Sequence, residues 1–415
     1  MQINKRKGKC KSDKFQFIEF SERDLYNNIM DVKTLGELCN IVAGGTPSRS
    51  NVEFWENGTI PWIKIGNIKG KYVQAPDEFI TQKGLDNSSA KMLPKGTVLY
   101  TIFATLGEVG ILNIDACTNQ AIAGLTIKDE KQLNTDYLYY YLMSKKTYVN
   151  TVGRGVAQNN INMSILRSFK LPLLPICEQK KIVKILDKVN DLRNGYQLVI
   201  NSLDNLIKAR FVEMFGDPVA NEKGWKTKTL LEMGTCKNGM NFTYANDGIE
   251  INCLGVGDFK NHVTIDDTSK LPKKCINEIP SEEYLLKDED IVFVRSNGNK
   301  ALVGRSLIVY PGNVPTTFSG FCIRYRLTED EVVTSYLLQV LKIDSMRKKM
   351  AGRGANIQNL NQQILASLNI PLPPIKLQQQ FADFVAQVDK SKVAVQKSLD
   401  ETQLLFDSLM QKYFG

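Results

Sequence analysis

The side chains best suited to chemistry in this chain are polar and cationic groups in segments rich in glycine and asparagine, such as "VRSNGNKALVGR" at 294–305. Arginine and lysine pair with guanine edges or phosphates, and asparagine pairs in bidentate fashion with adenine. Asparagine and glycine also favour ordinary turns for backbone reasons alone. As a set these segments predict nucleic-acid contact, while each single residue keeps a structural alternative.

Both halves of the chain carry such candidate contacts. In the first half they are Thr46, Ser48, Arg49, Asn51, Trp62, Lys64, Asn67, Lys69, Lys71, Thr105, Arg154, Asn159 and Asn160. In the second half they are Lys237, Asn241, Lys260, Arg295, Ser296, Asn297, Asn299, Lys300, Arg305, Arg353, Asn356 and Asn359. The net charge of +9 and the lysine-rich first 14 residues suit a polyanionic partner, although such a terminus would serve equally as a solubilising tail.

Catalytic motifs are largely missing from the sequence. His262 is the single histidine, no GxxxxGK[ST] loop for ATP occurs, and the eight cysteines form no CxxC pair. We therefore predict a binding protein with no catalytic residue, no metal and no bound cofactor. Two alternatives stay open. The chain could have methyltransferase or nuclease activity of its own, or it could be a helical scaffold without a nucleic-acid role.

Hydropathy argues against a membrane location. The longest apolar stretches, such as "KLPLLPI", fall well short of the roughly 18 to 20 residues that a membrane helix needs. The basic start of the chain is not followed by an apolar segment, so it does not resemble a secretory signal. The sequence predicts a cytoplasmic protein with reduced thiols.

One passage of the chain occurs twice, 199 residues apart. The segments "GRGVAQNNINMSILRSFKLPLLPI" (153–176) and "GRGANIQNLNQQILASLNIPLPPI" (352–375) are identical at twelve of 24 positions. The register continues without a gap to the end, where "EMFG" at 213–216 matches "KYFG" at 412–415. An internal repeat of this length predicts two copies of one structural plan.

A long amphipathic helix is predicted after each repeated passage, at 176–216 and at 375–415. In the first, the uninterrupted apolar pattern from Glu178 to Met214 covers about 37 residues, or roughly 55 Å of helix. This is too long for one small domain to bury, so we expect the two helices to pack on each other in antiparallel direction. The alternative is that each packs on its own domain. The predicted packing positions are Ile182, Ile185, Val189, Leu192, Val199, Leu203, Phe381, Val388, Val395, Leu399 and Phe406.

Two globular domains precede these helices, at 31–175 and 217–374, after a basic N-terminal arm at 1–30. Short β-like runs such as "TIPWIKI" and "DIVFVRS", separated by glycine, proline and asparagine, predict a sheet in each domain. One helix is predicted in each, at 134–152 and at 332–350. The predicted fold class is α+β, with two pseudo-symmetric α/β domains separated by two long antiparallel helices that form a coiled coil.

This arrangement resembles the specificity subunit of type I restriction-modification systems. The resemblance is carried by "VAGGTPSRSNVEFWENGTIPWIKIGNI" in the first domain and by the two repeated passages that enter the long helices, and it covers the chain from about Val32 to Gly415. The second domain departs from the pattern, because it has "CKNGMNFT" in place of the fuller "GGTP" turn. The role of that turn in the second domain is therefore open.

The resemblance implies a function for each part. The two globular domains would be target recognition domains that each read one half of a bipartite, asymmetric DNA site. The coiled coil would set the spacer and dock two modification (methyltransferase) subunits, and restriction or motor subunits would complete the complex. S-adenosylmethionine, ATP and Mg²⁺ would bind those partners and not this chain. An alternative is the specificity module of a related methyltransferase or restriction system.

Overall fold

The structure, a computed structural model of the chain, describes residues 31–73, 76–153, 160–241, 244–260, 263–351 and 359–415. Contacts between residues divide the chain into two compact units. Unit 1 comprises Met1–Asn194 and Asp400–Gly415, and unit 2 comprises Gly195–Leu399. Each unit therefore contains one globular part together with a segment of each long helix.

The globular part of unit 1 is built from short strands and short helices. Its strands are β1 (Asp31–Thr34), β2 (Cys39–Ala43), β3 (Ile60–Ile63), β4 (Glu78–Ile80), β5 (Val98–Thr101), β6 (Val109–Ile111), β7 (Cys117–Thr118), β8 (Ile122–Ile127) and β9 (Lys170–Leu173). Its helices are α1 (Leu35–Leu38), α2 (Gln82–Asp86), α3 (Thr135–Ser144), α4 (Lys146–Gly153) and α5 (Met163–Arg167). The first long helix, α6 (Ile176–Phe215), begins in unit 1.

Two sheets organise unit 1. Antiparallel strands in the order β2-β8-β5-β6 form the main sheet, and a smaller sheet has the order β4-β3-β7. Strand β5 is buried along its whole length, which explains its run of the apolar residues "VLY" before Thr101. Helix α3 contributes the buried rings of Tyr137, Tyr140 and Tyr141 to the same core. The end of the second long helix completes this core with Phe406 and Phe414.

The repeated proline-containing passage has a defined structure in unit 1. Its residues Lys170–Leu173 form β9, which pairs antiparallel with β1, the first strand of the domain. The carbonyl oxygen of Pro175 then accepts hydrogen bonds from the N–H groups of Glu178 and Gln179. Proline fits this position because it supplies an acceptor to the first helical turn and needs no donor. The passage therefore both closes the domain and starts the long helix.

Unit 2 repeats the plan of unit 1. Its strands are β10 (Lys226–Thr229), β11 (Gly234–Asn238), β12 (Tyr244–Leu254), β13 (Thr264–Ile265), β14 (Lys273–Ile276), β15 (Asp290–Val294), β16 (Ser306–Val309), β17 (Thr316–Phe318), β18 (Cys322–Leu327) and β19 (Asn369–Leu372). Its helices are α7 (Thr334–Lys342), α8 (Asp344–Ala351), α9 (Gln362–Ala366) and the start of the second long helix, α10 (Ile375–Phe414).

The sheets of unit 2 match those of unit 1 with one addition. The main sheet has the order β11-β18-β15-β16-β13, the smaller sheet has the order β14-β12-β17, and β10 pairs with β19. The added strand β13 runs parallel to β16 at the sheet edge. In the core, Tyr336 of α7 lies beside Phe211 and Phe215 at the end of α6 and near Phe381 at the start of α10.

The two long helices run antiparallel where they meet. In unit 2, the Lys392 ammonium pairs with Asp204 at 2.6 Å, and the Phe381 ring lies 5.5 Å from Phe211, so residue numbers rise along α6 as they fall along α10. In unit 1, the Arg193 guanidinium lies over the Phe406 ring. Each helix also packs on globular residues, so both of the packing modes considered from the sequence occur. The predicted α+β fold class is confirmed.

The buried face of α6 differs from the predicted stripes. Ile185, Leu192 and Val199 are 39%, 54% and 44% exposed, whereas Leu186 is fully buried. The buried positions Ile182, Leu186 and Val189 are spaced by four and then three residues, and Ile185 lies about 100° around the helix from Leu186, so the stripe that starts at Ile185 runs beside the contact face. The prediction that they pack in the helix pair is wrong for this chain by itself.

The remaining predicted packing positions are buried or half-buried. Ile182, Val189, Phe381, Val388 and Phe406 are at most 7% exposed. Leu203, Val395 and Leu399 are half-buried. These positions belong to a contact face that recurs after four and then three residues, as an ordinary α-helix requires.

Each segment predicted as one helix contains two. In unit 1, α3 ends at Ser144 and α4 starts at Lys146. In unit 2, Ile343 separates α7 from α8 with an extended backbone, and its side chain is 7% exposed. Neither break carries a glycine or proline, so the apolar pattern gave no sign of it. The burial of Ile343 in the core accounts for the turn in unit 2.

Within the described ranges, no helix combines the length and apolar composition needed to cross a bilayer.

The first long helix ends at Phe215 because Gly216 adopts a left-handed conformation, with φ of 76°, and donates its N–H to the Val212 carbonyl. A glycine is favoured at this position because a side chain would strain the backbone there.

Candidate nucleic-acid interface

In unit 1, the strands of both sheets end at a common edge. Strands β2, β3, β5 and β7 finish there, and β6 and β8 begin there. The connecting residues 44–46, 102–105, 119–121 and Asn160 form what we call edge 1. Loops held at the ends of packed strands are a usual place for binding residues, because the sheet fixes their position.

Backbone hydrogen bonds hold edge 1 together. Gly44 N–H donates to the Ile122 carbonyl at 2.9 Å, and Ile102 N–H donates to the Ala121 carbonyl at 2.8 Å. Ile161 N–H donates to the Ile102 carbonyl at 3.1 Å, which fastens the end of the repeated Asn-rich passage to the same edge. The three connections therefore form one rigid surface.

Unit 2 has the same arrangement, edge 2, formed by residues 239–241, 295–298, 319–321 and Asn359. Gly239 N–H donates to the Cys322 carbonyl at 3.0 Å, Arg295 N–H to the Phe321 carbonyl at 2.7 Å and Leu360 N–H to the Arg295 carbonyl at 2.7 Å. These bonds join the same strand ends as those of edge 1. The repeat therefore extends to the loops, where the sequences differ most.

A glycine allows the first loop to approach the strand connection in each unit. A Cβ atom on Gly44 would collide with the carbonyl oxygen of Asn119, and one on Gly239 would collide with that of Ser319. Only glycine fits such close backbone contact. The departure from "GGTP" in the second domain therefore leaves this part of the framework unchanged.

Several of the predicted contact residues lie on the two edges. Edge 1 contains Thr46, Thr105 and Asn160, and edge 2 contains Asn241, Arg295, Ser296, Asn297 and Asn359. On edge 2 the Arg295 guanidinium donates one N–H to the Gly320 carbonyl at 3.4 Å, which leaves its other donors available.

Other predicted residues lie elsewhere in the units. Five of them have exposed side chains outside the two edges, namely Lys69, Lys260, Asn299, Lys300 and Arg305. Arg305 donates a hydrogen bond to the Phe259 carbonyl at 3.1 Å. Arg154, Asn159, Arg353 and Asn356 lie outside the described residues.

Arg49 is engaged within unit 1. Its guanidinium lies 3.7 Å from the Trp55 ring centroid and 4.9 Å from that of Trp62, and it pairs with Glu78 at 2.5 Å. The ion pair is partly exposed and of modest strength, but the stacking on two indoles gives it a fixed geometry. The Trp55 indole N–H donates to the carbonyl oxygen of neighbouring Ser48 at 3.0 Å.

Two predicted lysines, Lys64 and Lys237, also have acidic partners. Lys64 pairs with Glu78 at 2.6 Å and with Asp77 at 3.3 Å, and these hydrogen bonds raise its pKa. Lys237 pairs with Glu283 at 2.8 Å, which likewise raises its pKa. Contact between either lysine and a phosphate would have to compete with these carboxylates.

Lys71 connects the globular part of unit 1 with the first long helix. Its ammonium lies 2.6 Å from Asp187 of α6 and 2.9 Å from Asp136 of α3. Burial lowers the pKa of Lys71, but the two carboxylates outweigh it and the net shift is upward. Tyr140 donates its O–H to Asp187 at 2.6 Å. These contacts give Lys71 a structural role.

Two of the predicted DNA contacts are buried. Trp62 is 2% exposed and donates its indole N–H to the Gly45 carbonyl, and Asn67 is 4% exposed and donates to Asp77. Side chains packed against protein in this way cannot reach a nucleic acid, so we do not propose either residue as a DNA contact.

Asn51 caps a short 3₁₀ helix by accepting the Glu53 N–H at 3.2 Å.

Three residues on the edges were not singled out from the sequence. Gln120 is exposed on edge 1, Phe103 is 40% exposed there, and Phe321 is 59% exposed on edge 2. The available signal was positional, since Gln120 and Phe321 both lie just before a buried strand that is equivalent in the two copies. Exposed phenylalanines among polar loops are frequent at binding surfaces.

In the part of the chain that the structure describes, no three histidine, cysteine or carboxylate side chains lie close enough together to hold a metal ion. The features that remain are two equivalent α+β domains, each with a polar edge at its strand ends and each joined to a 40-residue helix. This combination defines a class of duplicated proteins in which each α+β domain presents a polar loop edge and continues into a long helix.

The chain belongs to the family of type I restriction modification DNA specificity domains, whose model matches residues 27–201 and 222–402. The MjaIX specificity subunit of Methanocaldococcus jannaschii, a type I restriction enzyme component, is 25% identical over 95% of each chain. The chain is therefore the DNA specificity subunit of a type I restriction-modification system, with two target recognition domains, and by family it is a non-catalytic subunit.

Solved structures show the same fold. The crystal structure of the S subunit of a type I restriction-modification system from M. genitalium matches with a TM-score of 0.51 and 16% identity, over 93% of this chain and 96% of that one. A second structure, from work on complex assembly and conformational transition of a type I system, matches with a TM-score of 0.55 and 16% identity. It covers 93% of this chain and 97% of its own.

Proposed function

We propose that each target recognition domain reads one half of a bipartite, asymmetric DNA site through its edge. The observation that carries this proposal is that edges 1 and 2 have the same backbone framework but different side chains. Thr46 and Gln120 lie where unit 2 has Asn241 and Gly320. Two domains that recognise different base sequences need the same backbone framework but different side-chain hydrogen-bonding groups.

The DNA contacts divide into two kinds under this proposal. Edge residues read bases, and exposed cations such as Lys69, Lys260, Lys300 and Arg305 contact phosphates and add the salt-dependent part of the affinity. The proposed DNA contacts also include eight polar residues of the two domains and four residues of the repeated passages. The eight are Ser48, Asn51, Thr105, Asn160, Ser296, Asn297, Asn299 and Asn359, and the four are Arg154, Asn159, Arg353 and Asn356. The domains extend over 31–175 and 217–374.

The long helices set the spacer between the half-sites and dock two modification subunits. In unit 1, Ile185 and Leu192 of α6 and Leu404 and Leu405 of α10 are 39–70% exposed. Unit 2 has Leu198, Val199, Leu206 and Val212 of α6 and Val393 of α10, which are 44–70% exposed. Apolar side chains exposed in this number along a helix support a protein partner.

The remaining chemistry belongs to those partners. The modification subunits bind S-adenosylmethionine and transfer the methyl group, and the restriction or motor subunits bind ATP and Mg²⁺. A solved structure with the same fold comes from work on complex assembly in such a system, which supports this arrangement. We expect the complex to act in the cytoplasm, where its DNA substrate lies.

An exchange of one domain tests the proposal. Residues 217–374 are replaced by the corresponding domain of a relative with a known site, and the complete modification complex methylates a DNA library with S-adenosylmethionine. We expect one half-site to change to that of the donor while the other half-site and the spacer stay the same. A change in both half-sites, or in neither, would rule out one domain for each half-site.

A further inference from the structure

Gln120 lies on edge 1, where its side chain accepts a hydrogen bond from Thr46. Its side chain is exposed, whereas Thr118 and Ile122 on either side of it are fully buried. The residue therefore stands on a short connection between two buried strands, β7 and β8. A polar side chain held out in this way is presented to whatever approaches the edge.

The connection that carries Gln120 is fixed at several points. Asn119 N–H donates to the Ile63 carbonyl at 3.0 Å, and the Asn119 side chain accepts the Ala121 N–H at 3.2 Å. Ile122 N–H closes the turn on the Asn119 carbonyl at 3.2 Å. Little backbone entropy would be lost when Gln120 binds a ligand, since the turn is already ordered.

Thr46 sets the orientation of the Gln120 amide. Its hydroxyl donates a hydrogen bond to Oε1 of Gln120, so the amide carbonyl faces Thr46 and the NH₂ group faces away. A carbonyl oxygen has a second lone pair, and the NH₂ group still has its donors. The side chain thus presents one acceptor beside one donor, the pattern that matches N6–H and N7 of adenine in the major groove.

Edge 2 carries a different group at the same place. Gly320 has no side chain, Oδ1 of Asn241 fills the space beside it, and the Arg295 guanidinium that contacts its carbonyl offers donors only. A guanidinium matches the two acceptors of guanine and cannot accept from adenine N6. A glutamine held by a threonine is therefore a feature of edge 1, whereas edge 2 has the shorter amide of Asn241 beside a guanidinium.

We propose that Gln120, positioned by Thr46, recognises an adenine in the half-site read by the first domain. This inference rests on the proposed function, because it assumes that edge 1 faces DNA. Gln120 would discriminate its base pair by roughly 5- to 150-fold, the range expected for one bidentate side-chain contact. Thr46 acts through Gln120 as a positioning residue.

Methylation by the complete modification complex tests this proposal. Complexes containing the wild-type chain, Gln120→Ala, Gln120→Glu or Thr46→Val methylate a randomised DNA library with S-adenosylmethionine, and the methylated molecules are sequenced. Gln120→Ala should abolish the preference at one adenine position of one half-site. Gln120→Glu keeps the size of the side chain but cannot donate to N7, so it should lose the preference at the same position. Thr46→Val should weaken that preference several-fold.

Gln82→Ala, a change at an exposed glutamine on α2, is the matched control and should leave every preference as in the wild type. The proposal is overturned if both Gln120 variants keep every wild-type base preference. It is also overturned if the preference changes at a G·C pair, or if methylation falls equally for all sequences, as loss of a phosphate contact would cause. The proposed function is judged separately, because a bipartite site must be present with the wild-type complex alone.

Discussion

Gln179 and Gln378, 199 residues apart, make the same three hydrogen bonds in the two units. Gln179 accepts the Asn134 N–H and donates to the carbonyls of Gln132 and Leu174. Gln378 accepts the Val333 N–H and donates to the carbonyls of Glu331 and Pro373. Both side chains are fully buried in the first turn of a long helix. Each therefore joins its helix to the domain that precedes it.

Replacing Gln179 by leucine should destabilise the protein by about 2 to 4 kcal/mol, because one buried N–H and two carbonyls lose their partners. Gln179→Glu should be similarly harmful, since a carboxylate cannot donate to the carbonyls. Unfolding in urea, followed by circular dichroism, measures the change. Gln197→Leu, at an exposed position of the same helix, serves as the control. Equal stability of the two leucine variants would contradict the role assigned to Gln179.

The stability of the chain should depend on pH through Lys342 in unit 2. Burial lowers the pKa of Lys342 to about 8 from an unfolded value near 10.5, and Lys392 and Arg305 act in the same direction, against Asp389 and Asp204. Below pH 8 the lysine is protonated in both states and its desolvation cost is fully present. Between pH 8 and 10.5 the folded state loses the proton first, so stability rises with pH.

Lys342→Met should therefore stabilise the protein at pH 7, by roughly 1 to 3 kcal/mol, and this gain should shrink as the pH approaches 10. Urea unfolding at pH 7 and at pH 9.5, compared between the variant and wild type, measures the difference. Lys390→Met removes an exposed lysine from α10 and should change neither value. A stabilisation that is the same at both pH values would show that packing, and not the charge, is responsible.

The exposed apolar residues of α6 should affect assembly and not folding. Leu192 is 54% exposed, so Leu192→Glu should change the unfolding free energy by less than about 0.5 kcal/mol. The same substitution should weaken binding of a modification subunit at least tenfold, because a charge would be buried in the interface. Titration calorimetry with the isolated modification subunit checks this. Unchanged affinity would remove Leu192 from the docking surface.

The spacer of the DNA site should follow the length of the helices. Four residues inserted in α6 between Arg193 and Tyr196, with four at the equivalent position of α10, lengthen the pair by about 6 Å, or about two base pairs of DNA. The sequence of methylated sites should show a longer spacer and the original half-sites. Altered half-sites with the original spacer would contradict the role of the helices as a ruler.

Much of the framework could be predicted from the sequence because the repeat is long and the signals are local. The 199-residue repeat indicated two equivalent units, and the heptad-like pattern indicated a long helix in each. The phase of the buried face was missed, because Leu186 and Ile185 are equally apolar and only the three-dimensional contact distinguishes them. The breaks at Lys145 and Ile343 were missed since no glycine or proline marks them.

The candidate site was predictable in composition but not in arrangement. Arg49 and Trp62 have the residue types expected of DNA contacts, yet Arg49 stacks on Trp55 and pairs with Glu78, while Trp62 is buried. Such partners come together only when distant loops meet. Gln120 escaped notice for the same reason, because its partner Thr46 lies 74 residues away in the sequence.

We propose that the two domains of this chain read two different DNA sequences held at a fixed separation. Sequencing of the methylated positions in DNA modified by the complete wild-type complex tests this claim most directly. We expect two unlike half-sites separated by a spacer of constant length and free composition. A single continuous motif, or methylation without sequence preference, would contradict it.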